Sequence, residues 1–80
     1  SHTMILTSNN DILSWGSNRF GELGRQNTTY LPAPVTREWS KDDRVVKMDC
    51  CGFSSACSTA SGLLYLWGFM KGPDFVSHQY

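Results

Sequence analysis

Alternation of apolar and polar residues marks the strands of this chain. Leu13 and Trp15 share one face with Ser14 opposite, and β-forming residues fill positions 12–15. Asn9-Asn10 separates that stretch from a second extended segment at 3–7. Asparagine tolerates positive φ, so the pair predicts a tight hairpin turn. Ser61-Gly62 is placed for the same role later in the chain, and glycine fills it without steric cost. Positions 45–50 form a further strand. Val46, Met48 and Cys50 fall on one face, and Val45, Lys47, Asp49 and Cys51 on the other. Gly52-Phe53 then turns the chain into 54–59, so residues 44–68 read as a three-stranded antiparallel meander. No segment carries a 3.6-residue apolar period, and no helix is predicted.

The strands recur. Asp11-Ile12-Leu13-Ser14-Trp15-Gly16 returns as Leu63-Leu64-Tyr65-Leu66-Trp67-Gly68, with Trp15 and Trp67 52 residues apart. Upstream, Thr7-Ser8-Asn9-Asn10 aligns with Thr59-Ala60-Ser61-Gly62. After one gap, Ser1-His2-Thr3-Met4 aligns with Ser54-Ser55-Ala56-Cys57. A period near 50 residues is the length of a propeller blade, which usually has four strands. A solenoid of helices has similar periods, but the missing helical pattern excludes it. The predicted fold class is therefore all-β: four-stranded antiparallel blades of a β-propeller, incomplete. Residues 1–68 hold about one and a half repeats, and residues 69–80 begin the next repeat or an insertion.

The stretch between the copies is rich in turns. Gly16, Gly21 and Gly24 lie within nine residues, a spacing that lets backbone turn sharply or pass close to other backbone. A phosphate loop would need Lys-Ser/Thr and a helix after the last glycine, whereas Arg25-Gln26 follows here. Pro32 and Pro34 favour an extended edge. Residues 37–44 carry Arg37, Glu38, Lys41, Asp42, Asp43 and Arg44 and read as an exposed connection.

Composition narrows the chemistry. Seven basic and seven acidic residues cancel and are scattered, so no basic stripe supports a nucleic-acid partner. No apolar run is long enough for a membrane span. The three cysteines, Cys50, Cys51 and Cys57, are too few and odd for a closed disulfide framework. Cys50 and Cys51 point to opposite faces of one strand, and no C-x-x-C or H-x-x-x-H spacing accompanies them, so no metal site is expected. Reduced thiols suit the cytoplasm or nucleus. His2 and His78 lie near opposite ends of the chain, and the serines lack a G-x-S-x-G elbow. No catalytic set and no cofactor are expected.

Trp15-Gly16-Ser17-Asn18-Arg19-Phe20-Gly21-Glu22-Leu23-Gly24 resembles the signature of the regulator of chromosome condensation repeat. Pro34-Val35, the strand from Val45-Val46 to Cys51-Gly52, and His2-Thr3-Met4-Ile5-Leu6-Thr7 match further parts of that pattern. The chain departs from it at Ser55-Ala56, where the other copy has His2-Thr3. It departs again after Gly68, where the Asn and the Gly-x-Leu-Gly are missing. Two short runs, Thr59-Ala60-Ser61-Gly62 and Leu66-Trp67-Gly68, resemble more loosely the secretion-regulating guanine nucleotide exchange factor subgroup.

The resemblance implies a seven-bladed β-propeller in which Trp15 and Trp67 wedge between blades and His2 is a hydrogen-bonded structural residue. It implies a protein-interaction scaffold that is not an enzyme. Its rim loops, 16–24 and 36–44, would face solvent and offer Arg19, Phe20, Arg25, Tyr30, Arg37 and Trp39 to a partner, since Arg and aromatics are enriched at binding hot spots. Two other readings go with the family. One is guanine nucleotide exchange on a Ran-like small GTPase, and the other is substrate recruitment within a larger ubiquitin-ligase or signalling protein.

Overall fold

The computed structural model describes residues 1–26, 31–69 and 77–79, the last by their backbone. It is all-β over these residues. Strands β1 (His2–Leu6), β2 (Ile12–Gly16) and β3 (Ala33–Pro34) form one antiparallel sheet in that order. Strands β4 (Val45–Cys51), β5 (Ser54–Thr59), β6 (Leu63–Gly68) and β7 (Ser77–Gln79) form a second, also antiparallel and in chain order. The second sheet is a complete four-stranded blade. The meander expected over 44–68 thus gains an outer strand. That strand follows β6 after residues 69–76, whereas residues 17–32 separate β2 from β3.

Local chemistry explains each turn. Asn10 sits at φ 67° and Gly62 at φ 96°, the positive values the two hairpins need. Pro34 lies on the edge strand β3, where a residue without an N–H costs no interior ladder bond. The ladders repeat at 52 residues without the expected gap: His2 pairs with Gly16 and Ser54 with Gly68. Ser54, not Ser55, is therefore the register equivalent of His2.

One strand departs from simple alternation. A bulge between Val45 and Lys47 inserts an extra residue into β4. The side chains after it keep the expected alternation, while Val45 turns inward and Val46 outward. Val45 therefore joins Met48 and Cys50 in the core, and Val46, expected with them, is 42% exposed.

The core lies between the sheets. Met4, Ile12, Val35, Trp39, Val45, Cys57 and Tyr65 form its buried cluster, with Trp67 packed against it. Each large apolar side chain contributes roughly 1.5–3 kcal/mol by leaving water. The two sheets use opposite faces. The first buries Met4, Ile12 and Ser14, whereas the second buries Ser55, Cys57 and Tyr65.

Asn10 pins the first hairpin to the second sheet. Its Oδ1 accepts from Val45 N at 2.8 Å, and its Nδ2 donates to Asp43 O at 3.0 Å and Lys41 O at 3.2 Å. Asn10→Gly keeps the backbone conformation but loses these bonds, and is expected to cost about 1–3 kcal/mol. Asn10→Ala adds the left-handed strain, about 1 kcal/mol more. Denaturant melts of the full-length protein check both. A glycine variant as stable as the native protein would show that the pins contribute nothing.

Candidate functional site

The loop between β2 and β3 is built to hold two residues outward. Asn18 Oδ1 accepts from Leu23 N at 3.0 Å, and Asn18 Nδ2 donates to Arg25 O at 3.1 Å. Gly24 N donates to Gly21 O at 3.0 Å, closing a tight turn in which Gly21 has φ 82°. Leu23 and Glu22 are fully buried. Glu22 Oε1 accepts from Phe20 N at 2.8 Å and fixes the backbone one step from the apex. The expectation that loop 16–24 faces solvent therefore holds for Arg19, Phe20 and Gly21 and fails for Glu22 and Leu23. The motif's Asn, Leu and last Gly are its scaffold.

Phe20 is the middle of an exposed aromatic cluster. Its ring centroid lies 4.9 Å from that of Phe53 and 5.0 Å from that of Phe69, in tilted and edge-on arrangements. Such geometries place positive ring edges on negative ring faces. The three rings are 39%, 42% and 52% exposed. They come from three separate segments: the β2–β3 loop, the β4–β5 turn and the end of β6. Phe69 N donates to Phe53 O at 2.8 Å and locks two of these segments together. The Arg19 guanidinium lies 5.6 Å from the Phe20 ring centroid, within cation–π range.

Beneath the cluster, His2, Ser55 and Glu22 tie the two sheets. Ser55 Oγ donates to Glu22 O at 2.7 Å, so it accepts in its 2.6 Å contact with His2 Nε2. A catalytic serine–histidine pair runs the other way, with histidine accepting the hydroxyl proton. Ser55 is also buried, out of a substrate's reach. The group is a brace.

Burial holds the His2 pKa below its ordinary 6.5, against the upward pull of the Glu22 carboxylate. Burial alone would raise Glu22. The bonds it accepts from the Phe20 N–H, its own N–H and Ser17 outweigh that and hold it below the carboxylate range. Asp43 is held low by Ser61, whose Oγ donates to it at 2.6 Å, and by Thr59. An imidazole with a lowered folded pKa lets the unfolded chain bind more protons. Its stability contribution is thus complete above 6.5 and is lost as pH falls below that value. Glu22 and Asp43 add a second loss at lower pH, below their ordinary 4.5 and 3.8. The first decline is expected to flatten in His2→Gln. Parallel curves of melting temperature against pH for variant and native protein would overturn this.

The remaining candidate residues fall in different places. The Arg25 guanidinium turns inward, with Nη2 donating to Ser14 O at 2.8 Å, and braces the loop. Arg37 lies on the crossover between the sheets, 3.7 Å from Asp11. Tyr30 is outside the described residues. Trp39 corrects the expectation of an exposed contact residue. It is 4% exposed, packs against Tyr65 with ring centroids 5.5 Å apart, and its Nε1 donates to Asn10 O. Loop 36–44 is otherwise largely exposed and folds one large ring inward because β4 begins on a buried face. Phe53 and Phe69 were not among the sequence candidates. The only available signal was their position next to Gly52 and Gly68, which are turn and strand-end residues.

Other chemistry is sparse. A cavity of about 160 Å3 is lined by the core residues Val35, Trp39, Tyr65 and Trp67 together with Gly24 and the exposed Thr36 and Glu38. Among the described residues no three His, Cys, Asp or Glu side chains gather to hold a metal. Burial pushes the Cys57 thiol up to about 12, which leaves it unreactive at neutral pH. Among the described residues no helix is long and apolar enough to cross a membrane.

The model of the regulator of chromosome condensation repeat matches residues 9–58. Over 67 residues, 84% of this chain, it is 37% identical to the E3 ubiquitin-protein ligase HERC2 of Homo sapiens and 33% identical to the Ultraviolet-B receptor UVR8 of Arabidopsis thaliana. It is 36% identical over the same length to Ras guanine nucleotide exchange factor C of Dictyostelium discoideum. The chain spans 1%, 15% and 5% of the lengths of these three proteins. Repeat period, blade architecture and family match agree: the chain belongs to the regulator of chromosome condensation repeat family.

Proposed function

We propose that this chain is part of a protein-binding β-propeller and that its contact surface is the rim formed by Phe20, Phe53 and Phe69. The observation that carries this reading is the exposure of three rings from three segments, Phe53 and Phe69 both packed on Phe20. Apolar patches of this kind on a soluble surface mark interaction sites, and loops held by a rigid scaffold are where binding residues gather. The relatives support binding over any one chemistry. The same segment matches a ligase, a photoreceptor and an exchange factor. What such different proteins can share through one repeat is recognition.

The test is a triple variant, Phe20→Ala, Phe53→Ala and Phe69→Ala, in the full-length protein. Its interactors in cells are quantified beside those of the native protein, and circular dichroism monitors the fold. Selective loss of a subset of partners with an unchanged melt is expected. An unchanged partner set would sink the proposal.

A small GTPase is the second reading of the partner. A Rho GTPase-activating protein, gacGG of Dictyostelium discoideum, is also 32% identical over 69 residues, so two relatives are named for small-GTPase regulation. These two act in opposite directions, so the shared repeat would serve docking. Nucleotide-release assays across a GTPase panel test exchange directly, and no acceleration for any of them would remove it. The free state of all three cysteines supports the cytoplasm or nucleus as the compartment.

A further inference from the structure

We propose that the aromatic rim accepts a protein segment carrying a carboxylate next to a large apolar side chain, with Arg19 reading the carboxylate and Phe20, Phe53 and Phe69 the apolar group. This inference rests on the rim being the contact surface.

Three observations point to that chemistry. First, Arg19 is exposed, and among the described residues no carboxylate pairs with it. The acidic group nearest in sequence, Glu22, is buried and engaged with Phe20 N. Second, the guanidinium is placed over the Phe20 ring, 5.6 Å from its centroid. That cation–π contact does not use up the guanidinium's N–H donors, and such donors match a carboxylate in two parallel bonds. Third, the platform is pre-ordered. The backbones of Phe20, Phe53 and Phe69 are each held by a hydrogen bond of 2.8 Å. Little freedom is then lost when an apolar side chain settles on the rings. A cation beside apolar rings, as Arg19 is among the described residues, selects an acidic group at the border of an apolar contact.

An unpaired nucleobase could also stack on such rings with help from arginine. The observations favour a protein. Strand binding needs a groove of several positive charges, and among the described residues Arg19 is the cation placed over a ring of this cluster, on a chain whose charges cancel.

The experiment uses the full-length protein and a phage-displayed library of random peptides. Selected sequences are expected to carry Asp or Glu within a few positions of Leu, Ile, Met or Phe. A fluorescent peptide of the best such sequence is then titrated against native protein, Arg19→Glu, Phe20→Ala and Phe53→Ala. Arg19→Glu is expected to weaken it about tenfold or more. Exchanging the peptide's acidic residue for lysine is expected to restore binding to that variant. Each phenylalanine variant should lose binding as well.

Peptides that bind through the phenylalanines but ignore Arg19→Glu would overturn the charge rule and leave the rim reading intact. Peptides insensitive to every variant, or no selection at all, would sink both. Binding of a single-stranded oligouridine probe in place of acidic peptides would also overturn the inference.

Discussion

Gly68→Ala is expected to destabilise the full-length protein by roughly 3 kcal/mol or more, combining left-handed strain and overpacking. Gly68 has φ 102°, a conformation side chains rarely adopt. A Cβ there would run into Phe53 O, with Ser54 Cα at 3.1 Å and Glu22 Cα at 3.2 Å. All three are backbone atoms, so none can rotate away. The same carbonyl receives the Phe69 N–H, and the substitution would also disturb two of the three rings at the rim. Gly21→Ala is the control. It has φ 82° and nothing within 4 Å of its added Cβ, so it carries only the conformational cost, about 1 kcal/mol. Chemical denaturation of both variants gives the comparison. A Gly68 variant within about 1 kcal/mol of the native protein would mean that strands and loop do not approach this closely.

Trp67→Ala should cost roughly 3 kcal/mol, the low end for removing a large aromatic because the ring is partly exposed. Trp67 joins the second sheet to the loop of the first: its Nε1 donates to Glu22 O at 3.0 Å. Trp67→Phe would keep much of the packing and remove the hydrogen bond, which contributes about 1 kcal/mol. A further consequence is coupling to Gly24. A Cβ on Gly24 would lie 2.8 Å from Trp67 Nε1 and 2.8 Å from Val35 Cγ1. Gly24→Ala should therefore be markedly less harmful in a Trp67→Ala background, a non-additivity expected of residues in contact. Strict additivity in melting experiments would refute the contact.

Much of this architecture was legible because it rests on local rules. Asn10 and Gly62 announced their hairpins through residue types that accept positive φ. The recurrence of Trp15-Gly16 as Trp67-Gly68 announced the repeat. What alternation could not show was the bulge at Val45, which depends on how β4 meets β5. Nor could residue types show that no gap separates the copies: matching Met4 with Cys57 slips the register by one, whereas β1–β2 and β5–β6 pair identically 52 residues apart. The candidate site was half visible. Arg19 and Phe20 stood out within the repeat motif, but Phe53 and Phe69 reach them only through the fold. Trp39 was misplaced because its polar neighbours masked one inward-turning ring. Arg25 was exposed by composition yet is engaged by the backbone of Ser14.

The opposed faces give the contact between sheets a direction. The first sheet meets the second through Met4, Ile12 and Ser14, and its other face carries Thr3, Ile5, Leu13 and Trp15. By the 52-residue register these are the counterparts of Ser55, Cys57, Tyr65 and Trp67, which line the second sheet's side of the contact. Head therefore meets tail, and unlike surfaces joined this way continue as a series until the accumulated turn closes on itself. Equal rank in the repeat then carries unequal exposure to mutation. Ile12 is sealed within this junction, while its counterpart Leu64 lies on the side facing away from it. One face of a blade can thus change with its neighbour on that side while the opposite junction stays as it was.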